Sequence, residues 1–205
     1  MLFKEFSDTR IYEWIPLSPP SSPEELEIRF SKLEAGAPPD RNVEWLNWMV
    51  FDETLKRYVC WVQATISGSI ADLSYVVFPD FWKMGYGFQS VMLMIEYLEF
   101  HFALCKIRAT MSTGNAASIA LAEKIGMKRV RKIEEGDPLP NGYSSEYVYE
   151  IFHKRHWTKP ETRNKAIPTM RALKTNGKNC SIRSISFNPT DLTWNNIFRQ
   201  PLLMG

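Results

Sequence analysis

The stretch from Ile70 to Leu98 constrains the fold of this chain more than any other. Residues Ile70 to Val77 are apolar and β-branched enough for a strand, which Pro79 halts because proline cannot donate to a ladder. Trp82-Lys83-Met84-Gly85-Tyr86-Gly87 then supplies a glycine turn. Beyond it Phe88, Val91, Met92, Ile95, Leu98 and Phe102 recur at steps of three and four, the period of one helix face. The order strand, break, glycine turn, helix sets a helix N-terminus beside a strand end. Such a terminus offers amide N–H groups and a partial positive charge, and is a ready anion site. Gly85 and Gly87 let the backbone approach a phosphate with no Cβ in the way, and Lys83 adds a cation. A lone Gly-x-Gly before a helix more often serves a turn or packing, so the neighbouring elements decide its meaning.

Those neighbours read as a mixed sheet with helices. Ser22 before Pro23-Glu24-Glu25 is a helix start, with an N-cap, proline at the first position and acids in the first turn. Leu26, Phe30 and Leu33 continue the helix until Gly36. Trp45 to Phe51 and Tyr58 to Ser67 predict two strands of a meander with Ile70 to Val77 as the third. Lys106 to Met111 predicts another strand, Asn115 to Ile125 a helix closed by Gly126, and Met127 to Ile133 and Tyr143 to Phe152 two final strands. From Thr158 the pattern decays into a basic extension read as poorly ordered, with Ile182, Ile185 and Phe187 as one short strand within it.

Charge and cysteine content narrow the functional classes. The 205 residues carry a net charge of +2, but Met1 to His153 hold 15 Lys and Arg against 21 acids, and Lys154 to Gly205 hold 10 against 2. An acidic body tolerates a cationic amine, and the basic extension is read as solvated rather than as a nucleic-acid site. Cys60, Cys105 and Cys180 form no ligand-spaced cluster; His101 and Cys105 sit four apart, but two ligands do not make a metal site. The expectation is no metal and a reduced, cytoplasmic setting. The run Val91 to Ile95 is too short to cross a bilayer, and Met1 to Phe6 lack a secretory h-region. Trp45, Trp48, Trp61 and Trp82 suggest an aromatic cage, though sheet packing is the more ordinary use of such residues.

Three stretches together resemble the GCN5-related N-acetyltransferases, in the branch that includes enzymes acetylating ribosomal-protein N-termini. They are Trp45-Leu46-Asn47-Trp48, Ser74 through Gly87, and Asn115-Ala116-Ala117-Ser118-Ile119 through Gly126-Met127. The resemblance covers about Phe3 to Trp157. It implies an α/β (α+β) fold with a mixed, mostly antiparallel splayed sheet and flanking helices. Residues 1–157 would form the acyltransferase domain and 158–205 the extension. Acetyl-coenzyme A would lie in the splay, with backbone groups of Val77 and Phe78 on its pantetheine arm. Lys83, Met84, Gly85, Tyr86 and Gly87 would hold its pyrophosphate, and Asn115 would meet its amide portion.

The implied reaction is direct attack of an amine on the thioester, the acceptor being a small molecule or a protein N-terminus. A homodimer stays open. Relatives carry Gly-Arg or Gly-Lys before the first glycine of the turn, where this chain has Lys83-Met84. Many also carry a tyrosine acid where this chain has Ala122. That leaves Ser118 as the acid candidate, with Asp80 and Glu44 as possible bases. A degenerate relative that binds acyl-coenzyme A without turnover is the rival reading. Set against the family, the chain begins inside the first helix, near Leu2, which implies either a truncated start or an edge strand supplied by another segment, for which Cys180 to Asn188 is the candidate.

Overall fold

The computed structural model describes residues 2–136, 138, 139, 142, 143, 145–152, 174, 175 and 178–184. Helix α1 (Leu2–Phe6) leads through a 3-10 segment (Thr9–Trp14) to α2 (Pro23–Ala35). Helix α2 starts as its sequence dictates: the Ser22 side chain accepts the Glu25 amide, Pro23 holds the first position, and Gly36 ends the helix at φ 80°. Strands β1 (Glu44–Asp52), β2 (Arg57–Ser67) and β3 (Ile70–Val77) form an antiparallel meander. Helix α3 (Tyr86–His101) crosses to β4 (Lys106–Ser112), which lies parallel to β3. Helix α4 (Ala116–Ile125), capped by Gly126 at φ 97°, leads to β5 (Lys128–Ile133). A two-residue-arm hairpin, β6 (Pro138–Leu139) and β7 (Gly142–Tyr143), precedes β8 (Glu146–Phe152).

Two further strands, β9 (Lys174–Thr175) and β10 (Lys178–Ser184), come from the C-terminal extension. Strand β10 pairs antiparallel with β1, from Trp48 opposite Ser184 to Asp52 opposite Cys180. The eight-stranded sheet therefore runs β5-β8-β4-β3-β2-β1-β10-β9. The extension expected to be poorly ordered thus supplies two strands, and the candidate segment fills the open edge up to Ser184; Ile185 to Asn188 lie outside the described residues. His101 and Cys105, four apart in sequence, do not share a helix face. Helix α3 ends at His101, whose Nδ1 bonds the Tyr97 carbonyl, and the Cys105 amide instead donates to Ser69.

The core lies on both faces of the meander. On one, Phe6 meets Phe30, Trp61 and Phe78 edge-on at ring separations of 5.2, 5.8 and 5.2 Å. Each such pair adds roughly 0.5–1.5 kcal/mol beyond its buried area. On the other, α3 buries Val91, Met94 and Leu98, and Tyr97 lies against Trp48 at 5.1 Å. Trp48 and Trp61 are thus core residues rather than walls of a cage, and Trp82 is apart from them and 43% exposed.

Candidate functional site

The chemistry starts where two strands part. Strands β3 and β4 pair only from Ile70 opposite Lys106 to Leu73 opposite Ala109. Beyond that point β4 continues against β8 alone, and Ser74 to Val77 keep only β2. Four residues of strand leave about 13 Å of β3 edge facing a gap. The Phe78 amide donates to Val59 on the β2 side, so by alternation Val77 turns its amide and carbonyl into the gap. Val77 can therefore offer main-chain polarity to an extended ligand. Phe78 cannot with its amide, which is spent on the sheet while its ring is buried. The Val77 carbonyl accepts the Trp82 indole N–H at 2.7 Å.

At the end of this edge stands the N-terminus of α3. Gly85 is its N-cap residue at φ 84°, no side chain caps the helix, and the space before Gly85 is open. Gly87 has a different reason to be glycine. A Cβ there would lie 3.2 Å from Val77 Cγ2 and 3.3 Å from Leu121 Cδ2, so Gly87 lets α3 sit close to β3 and α4. Lys83 adopts φ 58°, the left-handed conformation that glycine would take without strain. The chain thus keeps the backbone shape expected of a glycine at this place but carries the cation there. Met84, at the next position, is 48% exposed.

Tyr86 holds the turn in place through its side chain. The phenol is buried and donates to Asp52 Oδ2 at 2.7 Å, while Asp52 Oδ1 accepts the amides of Thr54 and Leu55, both at 2.8 Å. A buried carboxylate with three donors is well satisfied. It ties the β1–β2 hairpin to the first turn of α3. Tyr86 offers a ligand its backbone only.

The far wall is α4. Asn115 caps it through Oδ1, which accepts the Ser118 amide at 3.1 Å, and its side-chain nitrogen is not used in that bond. The Ser118 carbonyl accepts the Tyr75 hydroxyl of β3 at 3.3 Å, a link across the splay. Among the described residues nothing takes up the Ser118 hydroxyl, and the residue is half-buried. Burial pushes the Tyr75 phenol up to about 12, so it is a donor at neutral pH. Tyr75 lies within the stretch that carries the resemblance, but only the splay reveals that it spans the gap. Ala122 is buried at 1% exposure, so its position faces the core.

Asp80 lies elsewhere in the arrangement. Its Oδ2 is 3.0 Å from Arg57, which also binds Glu5 at 2.7 Å and lies over the Phe81 ring. Glu44 opens β1 at an exposed position. Neither is brought to the Ser118 side of the gap by any described contact. No group of three or more potential metal ligands occurs among the described residues, and no described helix is long and apolar enough to cross a membrane.

A splayed parallel pair flanked by an uncapped glycine turn is the arrangement of an acyl-coenzyme A acetyltransferase, and a family model described as an acetyltransferase (GNAT) domain matches residues 1–128. The chain belongs to the GNAT acetyltransferase family. It is therefore an acetyltransferase fold with acetyl-coenzyme A as the co-substrate of its kind. Among solved structures, a GNAT acetyltransferase from Bacillus anthracis is 20% identical, with a TM-score of 0.60 over 73% of this chain and 86% of that one. Spermidine N-acetyltransferase from Vibrio cholerae, in complex with CoA and spermine, is 18% identical at a TM-score of 0.60, covering 74% and 87%. Ribosomal-protein-S5-alanine acetyltransferase from Vibrio fischeri is 13% identical at a TM-score of 0.62, covering 76% and 87%. These likenesses establish the shared GNAT fold. A search of the curated proteins found no match.

Proposed function

We propose that this GNAT protein transfers an acetyl group from acetyl-coenzyme A to a primary amine, of a small molecule or a protein N-terminus, by direct attack on the thioester. The observation that carries the reading is the gap beyond Leu73 and Ala109, with the turn from Lys83 to Gly87 at one end and Ser118 on its wall. In this reading the Val77 backbone and the Asn115 side-chain amide hold the pantetheine arm. The amides that open α3, with Lys83, hold the pyrophosphate. The thioester supplies the electrophile, and the gap fixes its position for the attacking amine.

Ser118 is the proton donor to the departing thiolate. Its amide is held by Asn115 and its carbonyl by Tyr75, while its hydroxyl is left for the reaction. Asp80, in the short 3-10 segment that precedes the turn, is the base of this reading, and to receive the amine's proton it must first release Arg57. Thiol release from acetyl-coenzyme A, measured with a panel of arylalkylamines, polyamines and peptide N-termini, tests the reading; no turnover with any of them overturns it.

A second reading has one observation in its favour. Position 122, where many relatives carry a tyrosine acid, is an alanine closed into the core. A protein that binds acyl-coenzyme A as a sensor or interaction module would show tight binding with no transfer to any amine.

A further inference from the structure

The turn between β3 and α3 holds two residues in the left-handed region, Lys83 at φ 58° and Gly85 at φ 84°, and no side chain caps the helix it opens. A glycine-bearing turn has several backbone shapes open to it, and an anion seat needs the one in which its amides converge. That shape is held from outside, and the holds come from the base of the β1–β2 hairpin. Asp52 and Arg57 face each other there as the last register pair of the two strands. Asp52 accepts the phenol of Tyr86, the first residue of α3, and so pins the exit of the turn.

Arg57 pins the entrance. Its guanidinium donates to Asp80 Oδ2 at 3.0 Å and lies 4.8 Å from the centre of the Phe81 ring, both in the 3-10 segment Pro79–Phe81 that leads into the turn. Its anchor is Glu5 of α1, which accepts from the same nitrogen at 2.7 Å. The Glu5 side chain is 11% exposed, and its Oε2 is buried without a hydrogen bond among the described residues. Arg57 is therefore the cation that offsets the burial of this carboxylate. The buried Phe81 ring meets the Tyr86 ring edge-on at 5.5 Å. Contacts thus run in a closed circuit from Arg57 to Phe81, Tyr86 and Asp52, and across the hairpin back to Arg57. Between the two holds lie Trp82, Lys83, Met84 and Gly85.

We propose that the base of the β1–β2 hairpin is a clamp on the turn before α3, with Arg57 as a positioning residue for the pyrophosphate of the cofactor. The proposal rests on that turn being the pyrophosphate seat. Arg57 acts through Asp80 and Phe81, by fixing where the amides of the turn converge. Its holds on Glu5 and Phe81 keep it seated when Asp80 lets go, because attraction of a cation to a ring does not depend on that hydrogen bond. A ligand that carries a pyrophosphate should therefore sense Arg57. The pantetheine arm, laid along β3 at Val77, should not.

Coenzyme A carries the pyrophosphate and pantetheine does not, so the two ligands separate a clamp on the turn from general support of the fold. Binding of each is measured by calorimetry for wild type, Arg57→Met, and Arg57→Met combined with Glu5→Gln. The added substitution removes the carboxylate that Arg57→Met alone would leave buried and unpaired, and melting curves confirm that the proteins are folded. Both variants are expected to bind coenzyme A about 5-fold more weakly, the scale of one lost cation–π contact, and pantetheine within about twofold of wild type. Amide exchange from Trp82 to Gly87 should quicken in both unliganded variants, with α4 as in wild type. Equal losses for the two ligands overturn the clamp, as does wild-type affinity for coenzyme A or unaltered exchange in the turn. A wild type that fails to bind coenzyme A removes the pyrophosphate seat and the clamp with it. A wild type that binds coenzyme A, with the split between ligands in the variants but no amine acetylated, keeps the clamp and refutes the transfer reading.

Discussion

The hydroxyl of Tyr75 on β3 donates to the carbonyl of Ser118 on α4 at 3.3 Å, joining the two walls of the splay. With the Asn115 side chain on the Ser118 amide, both backbone groups of that serine are engaged from outside the ordinary helix ladder. Substituting Tyr75 with Phe removes one hydrogen bond, worth about 1 kcal/mol of stability. It is expected to lower kcat several-fold and leave the acetyl-coenzyme A KM near wild type. In a Ser118→Ala background the same substitution should have little further effect on kcat. Steady-state kinetics of the four proteins check this, and equal losses in both backgrounds would separate Tyr75 from Ser118.

Alkaline pH gives a second test of burial. Both Tyr12 and Tyr75 are pushed up to about 12, chiefly by desolvation, from an ordinary value of 10.0. The unfolded chain loses these protons first, so above pH 10 it binds fewer protons than the folded chain. Stability is then complete below about pH 10 and falls as pH rises toward 12, with a slope on the order of 1 kcal/mol per pH unit for each tyrosine. Urea midpoints between pH 9 and about pH 11.5 should show the fall. Tyr12→Phe and Tyr75→Phe should each flatten it.

The turn before α3 makes a third prediction. Lys83 holds a left-handed conformation at φ 58°, which costs a non-glycine residue about 1 kcal/mol. Lys83→Gly is expected to raise the melting temperature by about 2–4 °C while weakening acetyl-coenzyme A binding. The pair Lys83→Gly with Met84→Lys should keep the added stability and recover the affinity. Calorimetry and thermal melts on the three proteins measure both.

Arg57 and Asp80 bear on the base. Their pair is half-exposed, so Asp80→Asn should change stability by under about 1 kcal/mol. A residue that accepts the amine's proton contributes on the order of 10²–10⁴ in rate. If Asp80→Asn lowers kcat/KM by about 100-fold or more, the proton goes to Asp80; a loss below about tenfold removes Asp80 from the reaction.

Strand β10 gives the last test. Deleting Thr158 onward removes the partner of β1 from Trp48 to Asp52. The expected result is a fall in melting temperature of about 5 °C or more. An unchanged melt would mean that the edge strand contributes nothing.

The succession of elements was legible in the chain because each is coded locally. Ser22 and Pro23 start α2, Gly126 ends α4, and the helical period from Phe88 to Phe102 sets α3 against the alternating strands around it. Gly85 could be read as part of a turn before a helix because a positive φ is a property of one residue and its neighbours. Other properties depended on distant segments meeting. Gly87 proved to serve close packing against Val77 and Leu121, and Tyr86 to anchor on Asp52. Asp80 found Arg57, and Phe78 spent its amide on Val59. Tyr75 acquired its place only when β3 and β4 parted, since a gap between strands so far apart in sequence has no local signature. Propensity and capping act within a few residues, and so the sequence by itself determined the order of the elements from α2 to β8, but neither the 3-10 segment Thr9–Trp14 nor the pairing of the basic extension. Which side chains face the slot was decided by strand register and helix packing, which exist only in the folded chain.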